Sequence, residues 1–273
     1  MPEAPEVEAV ARTLRPLIRG KKIRRLHVGH AVAIRPQSSR ALKKNCAGSQ
    51  IQGVERFGKY LTLHLDHGCI VMHFKFDGQV LWFDDPKDAL ARNIHVDVAF
   101  ETDDGALGFV DQRHLGRVNW LACLEDSAGI RALGVDAFSP EFTARGLATL
   151  CHENARQLKT LLMDQTRIAG LGNIYATESL WHARLNPERH SNQLTSQEIR
   201  RLHKAVVSVL ARALECCLNP PPTFRDPQWW FNDLENILRV YDREGIPCTR
   251  CGRAIRRIWQ NGRSTYFCKN CQR

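Results

Sequence analysis

Four cysteines near the end of the chain constrain it more than any other feature. Cys248-x2-Cys251 is followed, after sixteen intervening residues, by Cys268-x2-Cys271. Four thiolates at this spacing match a closed tetrahedral zinc site with no coordination position open to water. One Zn2+ is therefore expected, in a structural role. Between the pairs, Ile255–Trp259 and Ser264–Phe267 read as short strands around Asn261-Gly262, a dipeptide that favours the positive φ angles of a type I′ turn. The spacing thus predicts a zinc-bound β-hairpin with Arg263 just past its tip. The other six cysteines (Cys46, Cys69, Cys123, Cys151, Cys216 and Cys217) lie among apolar or helical neighbours and read as buried thiols in a reducing compartment.

Charge concentrates in the same module. Over residues 241–273 eight Lys and Arg stand against two acids, a net of +6 of the +10 carried by all 273 residues. Such a balance favours a polyanionic partner, and arginines held at a tight turn suit a phosphate backbone. No run of eighteen apolar residues exists, so a membrane-spanning helix is excluded. The start MPEAPEVEAV lacks both a basic and an apolar leader segment, so a cytoplasmic protein is expected.

Upstream, two bodies are legible. From Glu3 to Arg19 the positions Val7, Val10, Ala11, Leu14 and Ile18 share one helical face, and Gly20 supplies a stop. The next hundred residues alternate as strands, as at Leu61, Leu63 and Leu65 and at Val96, Val98 and Phe100, with turns at 66–68 and 103–105. One helix followed by many short strands predicts a β-sandwich or barrel with a helical edge. Near 134–140 the pattern turns helical. Ser196–Leu218 reads as one long amphipathic helix with Ser196 as N-cap, ended by Asn219 and three prolines. The expected class is α+β, divided at 1–133, 140–218, 219–239 and 240–273.

The first residues are chemically distinctive. Trimming Met1 before a proline would leave Pro2 as a free secondary amine, and α-amino groups titrate near 7.7–8.0. Such an amine can attack an aldehyde-level carbon and form an iminium. Glu3 and Glu6 lie at or inside the first helical turn, where the helix dipole favours carboxylates, and they offer proton donors and acceptors.

Together these residues resemble the formamidopyrimidine-DNA glycosylase / endonuclease VIII family. The resemblance rests on Met1-Pro2-Glu3-Ala4-Pro5-Glu6-Val7-Glu8, on Leu161–Gln165 followed by Gly170-Leu171-Gly172-Asn173-Ile174-Tyr175-Ala176, and on Gly262–Gln272, in family order over essentially the whole length. It implies a β-sandwich domain with a long N-terminal helix, a helix–two-turn–helix domain and a C-terminal zinc β-hairpin. It also implies base excision from damaged double-stranded DNA held in a cleft, by a monomer. A damaged base is flipped out, its glycosidic bond is cut, and the abasic site is nicked by elimination through a Schiff base.

Carried over by position, Pro2 would be the nucleophile, Glu3 the proton donor and Glu6 a supporting carboxylate. Lys59, in Arg56-Phe57-Gly58-Lys59-Tyr60-Leu61, would complete the catalytic group by pairing with a phosphate beside the lesion. Asn173 and Arg263 would hold further phosphates. Phe76, in His73-Phe74-Lys75-Phe76-Asp77-Gly78, stands where the family usually has methionine. Leu115, in Asp111-Gln112-Arg113-His114-Leu115-Gly116, stands where phenylalanine is usual. Both keep apolar bulk to fill the void left by a flipped base, with Arg113 pairing the orphaned base and an altered opposite-base preference expected. The larger departure is Pro220–Phe231, which is proline- and aromatic-rich, with no glycine from Asn219 to Glu244, where relatives have a flexible cover over the everted base. Two alternatives stand beside the leading reading: an endonuclease VIII-like preference for oxidised pyrimidines, and a non-catalytic binder of damaged DNA. Pro2, Glu3, Glu6 and Lys59 argue against the second, since pure binding needs none of them.

Overall fold

The protein is described by a computed structural model covering residues 2–91, 96–225 and 234–273, the side chains of 89–91 and 235 apart. The chain divides into two compact units, Met1–Arg131 with Cys217–Asn232, and Ala132–Cys216 with Asp233–Arg273.

The first unit opens with helix α1 (Ala4–Ile18), and Val7, Val10, Ala11, Leu14 and Ile18 are buried as their spacing predicts. Strands β1 (Arg25–Val28), β2 (Ile51–Phe57), β3 (Tyr60–Leu65), β4 (Cys69–His73), β5 (Gln79–Phe83), β6 (Val96–Glu101), β7 (Ala106–Val110) and β8 (Arg117–Leu121) form two four-stranded sheets. Their orders are β1-β6-β7-β5 and β2-β3-β4-β8, with every neighbouring pair antiparallel. Short helices α2 (Ser39–Cys46), α3 (Pro86–Ala91) and α4 (Ala128–Arg131) join them. The period-2 alternation becomes a two-faced sheet because successive side chains point to opposite sides. Val54, Leu61, Leu63, Ile70, Met72 and Val118 from one sheet meet Leu26, Val80, Val98, Phe100, Leu107 and Phe109 from the other in a single core that also takes in α1. The result is a β-sandwich.

The segment following the long helix also belongs to this unit. Phe224 is buried in the sandwich core and its carbonyl accepts the Trp82 N–H at 2.8 Å. Arg225 grips both carboxylate oxygens of Asp84. β5 is an edge strand, and an unpaired edge exposes backbone donors; Phe224 satisfies one of them. Trp229, Trp230 and Phe231, the aromatic end of the Pro220–Phe231 segment, lie outside the described residues.

The second unit is helical. A short parallel pair, β9 (Val135–Asp136) with β10 (Ile168–Ala169), brackets α5 (Ala144–Glu153) and α6 (Leu158–Leu162). Helix α7 (Asn173–Ala183) and the long α8 (Ser196–Cys217) follow, then the short α9 (Leu234–Ile237). The N-cap of α8 is Thr195, one residue before the one expected. Its hydroxyl accepts the Glu198 N–H at 3.3 Å while the Glu198 carboxylate accepts the Thr195 N–H at 2.9 Å. That reciprocal pairing requires the acid at the third helical residue, which Ser196 as cap would miss. Strands β11 (Arg256–Gln260) and β12 (Arg263–Phe267) close the chain as a hairpin. Among the six thiols read as buried, Cys123 is exposed and Cys216 only partly covered.

Phe109 has no exposed surface and its ring stacks on Phe74 at 5.9 Å between centroids. Phe109→Ala is expected to lower the unfolding free energy by about 3–5 kcal/mol, measured by urea denaturation.

Candidate functional site

Helix α1 presents the chain's first residues in a fixed form. Pro2, Glu3 and Glu6 are all buried. The Glu6 carboxylate accepts the Glu3 backbone N–H at 2.8 Å, the returning half of a capping box. Glu6 therefore acts on the backbone that carries Glu3 and Pro2. One turn on, Glu8 accepts from Arg56 Nε at 2.8 Å, and Arg56 Nη1 donates to the Gly58 carbonyl at 2.9 Å. Burial raises the Glu8 carboxyl's pKa, but the Arg12 and Arg56 guanidiniums outweigh it and hold the group below its usual range. Gly58 and Lys59 form the two-residue turn between β2 and β3, with Gly58 at φ 56° supplying the left-handed position. The Glu8–Arg56 link thus sets the Lys59 turn beside the start of α1.

Lys59 is largely buried, and Tyr60 beside it pairs across the sheet with His73. Burial pushes the His73 imidazole down to about 3, aided by the nearby Lys75 and Lys59 ammonium groups, so the ring is neutral at ordinary pH. His73, Lys75, Arg117, Asn119 and Tyr60 line a cavity of about 470 Å³. Lys75 and Arg117 stand against the single acid Asp126 in this lining. His73 was not singled out from the sequence as a site residue; its place beside Lys59 arises only from strand register.

Two neighbouring loops carry the apolar candidates. Phe76 is 47% and Leu115 42% exposed, and among the described residues of the first unit they are the large hydrophobic side chains left uncovered. Arg113 Nε meets Asp77 Oδ2 at 2.6 Å, tying one loop to the other. The second loop is heavily built. The buried Asp111 carboxylate accepts the N–H groups of Arg113, Leu115 and Gly116 at 3.0, 2.9 and 2.6 Å. Arg117 Nη1 donates to the carbonyls of Leu115 and Gly116 at 3.0 and 2.7 Å. Phe109 packs beneath, and a Cβ at Gly116 would lie 2.5 Å from its ring, so only glycine fits there.

In the second unit the phosphate-contact candidates Asn173 and Arg263 are brought together. Asn173 begins α7, and the positive end of a helix dipole favours anions. Its amide donates to the Ser264 carbonyl at 3.1 Å, next to Arg263. Lys159, 1% exposed, donates to the same carbonyl at 3.0 Å and to Thr265 Oγ1 at 2.6 Å. The loop before α7 is held by Gln165, which donates to the Met163 and Leu171 carbonyls and accepts from Gly170 N–H.

The hairpin itself takes the predicted form. Asn261 and Gly262, at φ 46° and 72°, make the turn, and Arg263 pairs with Gln260 at the first strand position. The four cysteine Sγ atoms lie within 4.8 Å of one another, with Cys251–Cys268 at 3.5 Å and Cys248–Cys271 at 4.0 Å. A tetrahedron with zinc–sulfur bonds of about 2.3 Å has edges of roughly 3.8 Å, close to both of these separations, so the set suits zinc. The Arg253 backbone N–H, chiefly, holds the Cys251 thiol down to about 6, favouring the thiolate a metal needs.

The family model for the formamidopyrimidine-DNA glycosylase N-terminal domain matches residues 1–118. That for the formamidopyrimidine-DNA glycosylase H2TH domain matches 133–218, and that for the zinc finger found in FPG and IleRS matches 245–273. A formamidopyrimidine-DNA glycosylase of Pelotomaculum thermopropionicum is 38% identical over 278 residues, covering 100% of this chain and 99% of that protein. The wild-type Lactococcus lactis Fpg in complex with an N7-benzyl-Fapy-dG containing DNA is 31% identical with a TM-score of 0.88, covering 99% of each chain. The same protein in complex with an oxidized pyrimidine containing DNA is 30% identical with a TM-score of 0.87, again covering 99% of each.

Two outcomes follow from this geometry. Removing zinc with a chelator, or Cys268→Ser, should release one zinc equivalent by metal analysis and melt the hairpin, read as loss of amide exchange protection at Tyr266 and Phe267. Because the folded His73 pKa lies below its unfolded value, its neutral burial stabilises above about pH 6.5 and that contribution is lost as pH falls toward 3. An imidazole NMR titration should find His73 still neutral near pH 5.

Proposed function

The chain belongs to the formamidopyrimidine-DNA glycosylase family and is a DNA glycosylase of base excision repair; from that premise we propose which of its residues carry each step. The substrate is double-stranded DNA bearing an oxidised or ring-opened base. After Met1 is trimmed, the Pro2 nitrogen lone pair attacks C1′ of the damaged nucleotide and the glycosidic bond breaks, its electron pair leaving with the base. Glu3 donates a proton as the sugar ring opens, leaving an iminium between Pro2 and C1′. Loss of a C2′ proton then expels the 3′ phosphate, and water releases Pro2.

The buried Pro2–Glu3–Glu6 terminus is the observation that carries this reading. A chain end usually frays, and here a capping box and burial order it, as a positioned nucleophile requires. Glu6 serves through that bond. Lys59, Asn173 and Arg263 hold phosphates, Phe76 and Leu115 fill the vacated stack, and Arg113 pairs the orphaned base. The four cysteines would hold one structural zinc, which supplies rigidity to the strand bearing Arg263 and no chemistry at C1′. The functional division is 1–133 for catalysis, 140–218 and 240–273 for DNA grip, and 219–239 for a cover over the lesion. The protein acts as a monomer in the cytoplasm. An exclusive preference for oxidised pyrimidines and a purely binding role are the less favoured readings.

Borohydride trapping on a panel of lesion-bearing duplexes tests the scheme. A covalent protein–DNA adduct is expected with the native terminus and none with Pro2→Gly or an acetylated N-terminus. Undiminished adduct in either case would remove Pro2 from the mechanism.

A further inference from the structure

Between Arg113 and Leu115 lies a side chain that the scheme above leaves unused. His114 sits at φ 53°, a left-handed conformation uncommon outside glycine that histidine tolerates better than most residues. Its Nδ1 lies 2.7 Å from Oδ1 of Asp97, a carboxylate on β6 with 1% exposure. The His30 ring stacks on the His114 ring, with centroids 3.7 Å apart and planes 18° apart. Backbone N–H groups of Gly29 and His30 both donate to the Asp97 carbonyl, at 2.9 and 3.2 Å. Among the described residues, Asp97 Oδ2 and His30 Nδ1 are buried with no hydrogen-bond partner.

Burying a carboxylate this deeply is costly unless a specific partner offsets it. Burial pushes the Asp97 pKa up, and the His114 and His30 rings act against that shift. The three groups offer ligand-type atoms within 4.8 Å of one another. Yet two nearly parallel stacked imidazoles carry their in-plane lone pairs side by side, where they do not converge on one ion. The arrangement is a clamp: one bond fixes the direction of the His114 ring, and the stack fixes its plane.

We infer that Asp97 and His30, acting through His114, are positioning residues that set the opposite-strand reading of the 111–116 loop. Asp111 and Arg117 organise the loop internally, but both lie at its own ends in sequence. The Asp97–His114 bond ties the middle of the loop to β6, the neighbour of the strand the loop departs from, between the residue that pairs the orphaned base and the residue that fills the stack. A loop braced only by its own flanking side chains can still pivot as a unit, carrying Arg113 and Leu115 with it. Discrimination among opposite bases depends on where the Arg113 fork sits, and a displacement on the order of 1 Å is enough to cost positioned groups their effect. This inference rests on the proposed role of Arg113.

The experiment measures kcat/KM for one lesion placed opposite each of the four bases, with cutting of a single-stranded abasic oligonucleotide, which has no opposite base, as the internal reference. Asp97→Asn and His114→Ala are expected to reduce the ratio between best and worst opposite base about tenfold, the worth of one charge-assisted hydrogen bond, while the single-strand rate stays within twofold of the parent. His114→Asn should restore most of the ratio, because asparagine tolerates the left-handed backbone and its amide replaces the Nδ1 donor. Arg113→Ala, measured alongside, should collapse the ratio as well. If Arg113→Ala collapses it and His114→Ala leaves it intact, the clamp has no part in specificity. A parallel fall in single-strand cutting, or failure of His114→Asn to recover, reduces the cluster to a folding role. An unchanged ratio in Arg113→Ala would instead overturn the reading of Arg113 and the inference built on it.

Discussion

A chain end can serve as a positioned chemical group only if something holds it, and in this protein that is the docking of α1 on the sandwich. Five apolar side chains along one face of the helix enter the core between the sheets. Full burial of each larger one is worth about 1.5–3 kcal/mol. The Glu8–Arg56 pair and the Arg15 bond to the Val54 carbonyl fix the helix against β2. Everything proposed for Pro2 and Glu3 depends on this packing, because the capping box orders only the first turn relative to the helix itself.

The same unit shows how a protein keeps apolar side chains uncovered without collapse. Leu115 stands on a loop whose backbone is held by the charged Asp111 and Arg117 side chains, while Arg113 pairs with Asp77 beside Phe76 and His114 with Asp97 on β6. Carboxylate and guanidinium bonds to backbone are stronger and more directional than neutral ones. They let a loop stay rigid while its large side chains remain exposed. In the second unit the buried Lys159 does comparable service for β12, joining the strand beside Arg263 to the start of α6.

Much of this was legible in the sequence, and for local reasons. The Asn261-Gly262 turn, the two cysteine pairs, the apolar face of α1 and the end of α8 each depend on residues within a few positions of one another. The misplaced cap of α8 was a local error of one residue, decided by which hydroxyl reaches Glu198. The exposure of Cys123 was not legible, because covering a thiol requires another element to arrive over it.

The sequence by itself determined the residue types available: a proline with two glutamates near one end, four cysteines with their arginines near the other, and two periodic bodies between them. Tertiary structure alone decided how those groups are held. His114 meets Asp97 across 17 residues of chain, Asn173 reaches Ser264 across 91 and Lys159 reaches Thr265 across 106. No periodicity or spacing encodes such meetings. They exist because sheet register and helix docking bring distant backbones together, and a buried charge then persists only where its partner happens to arrive.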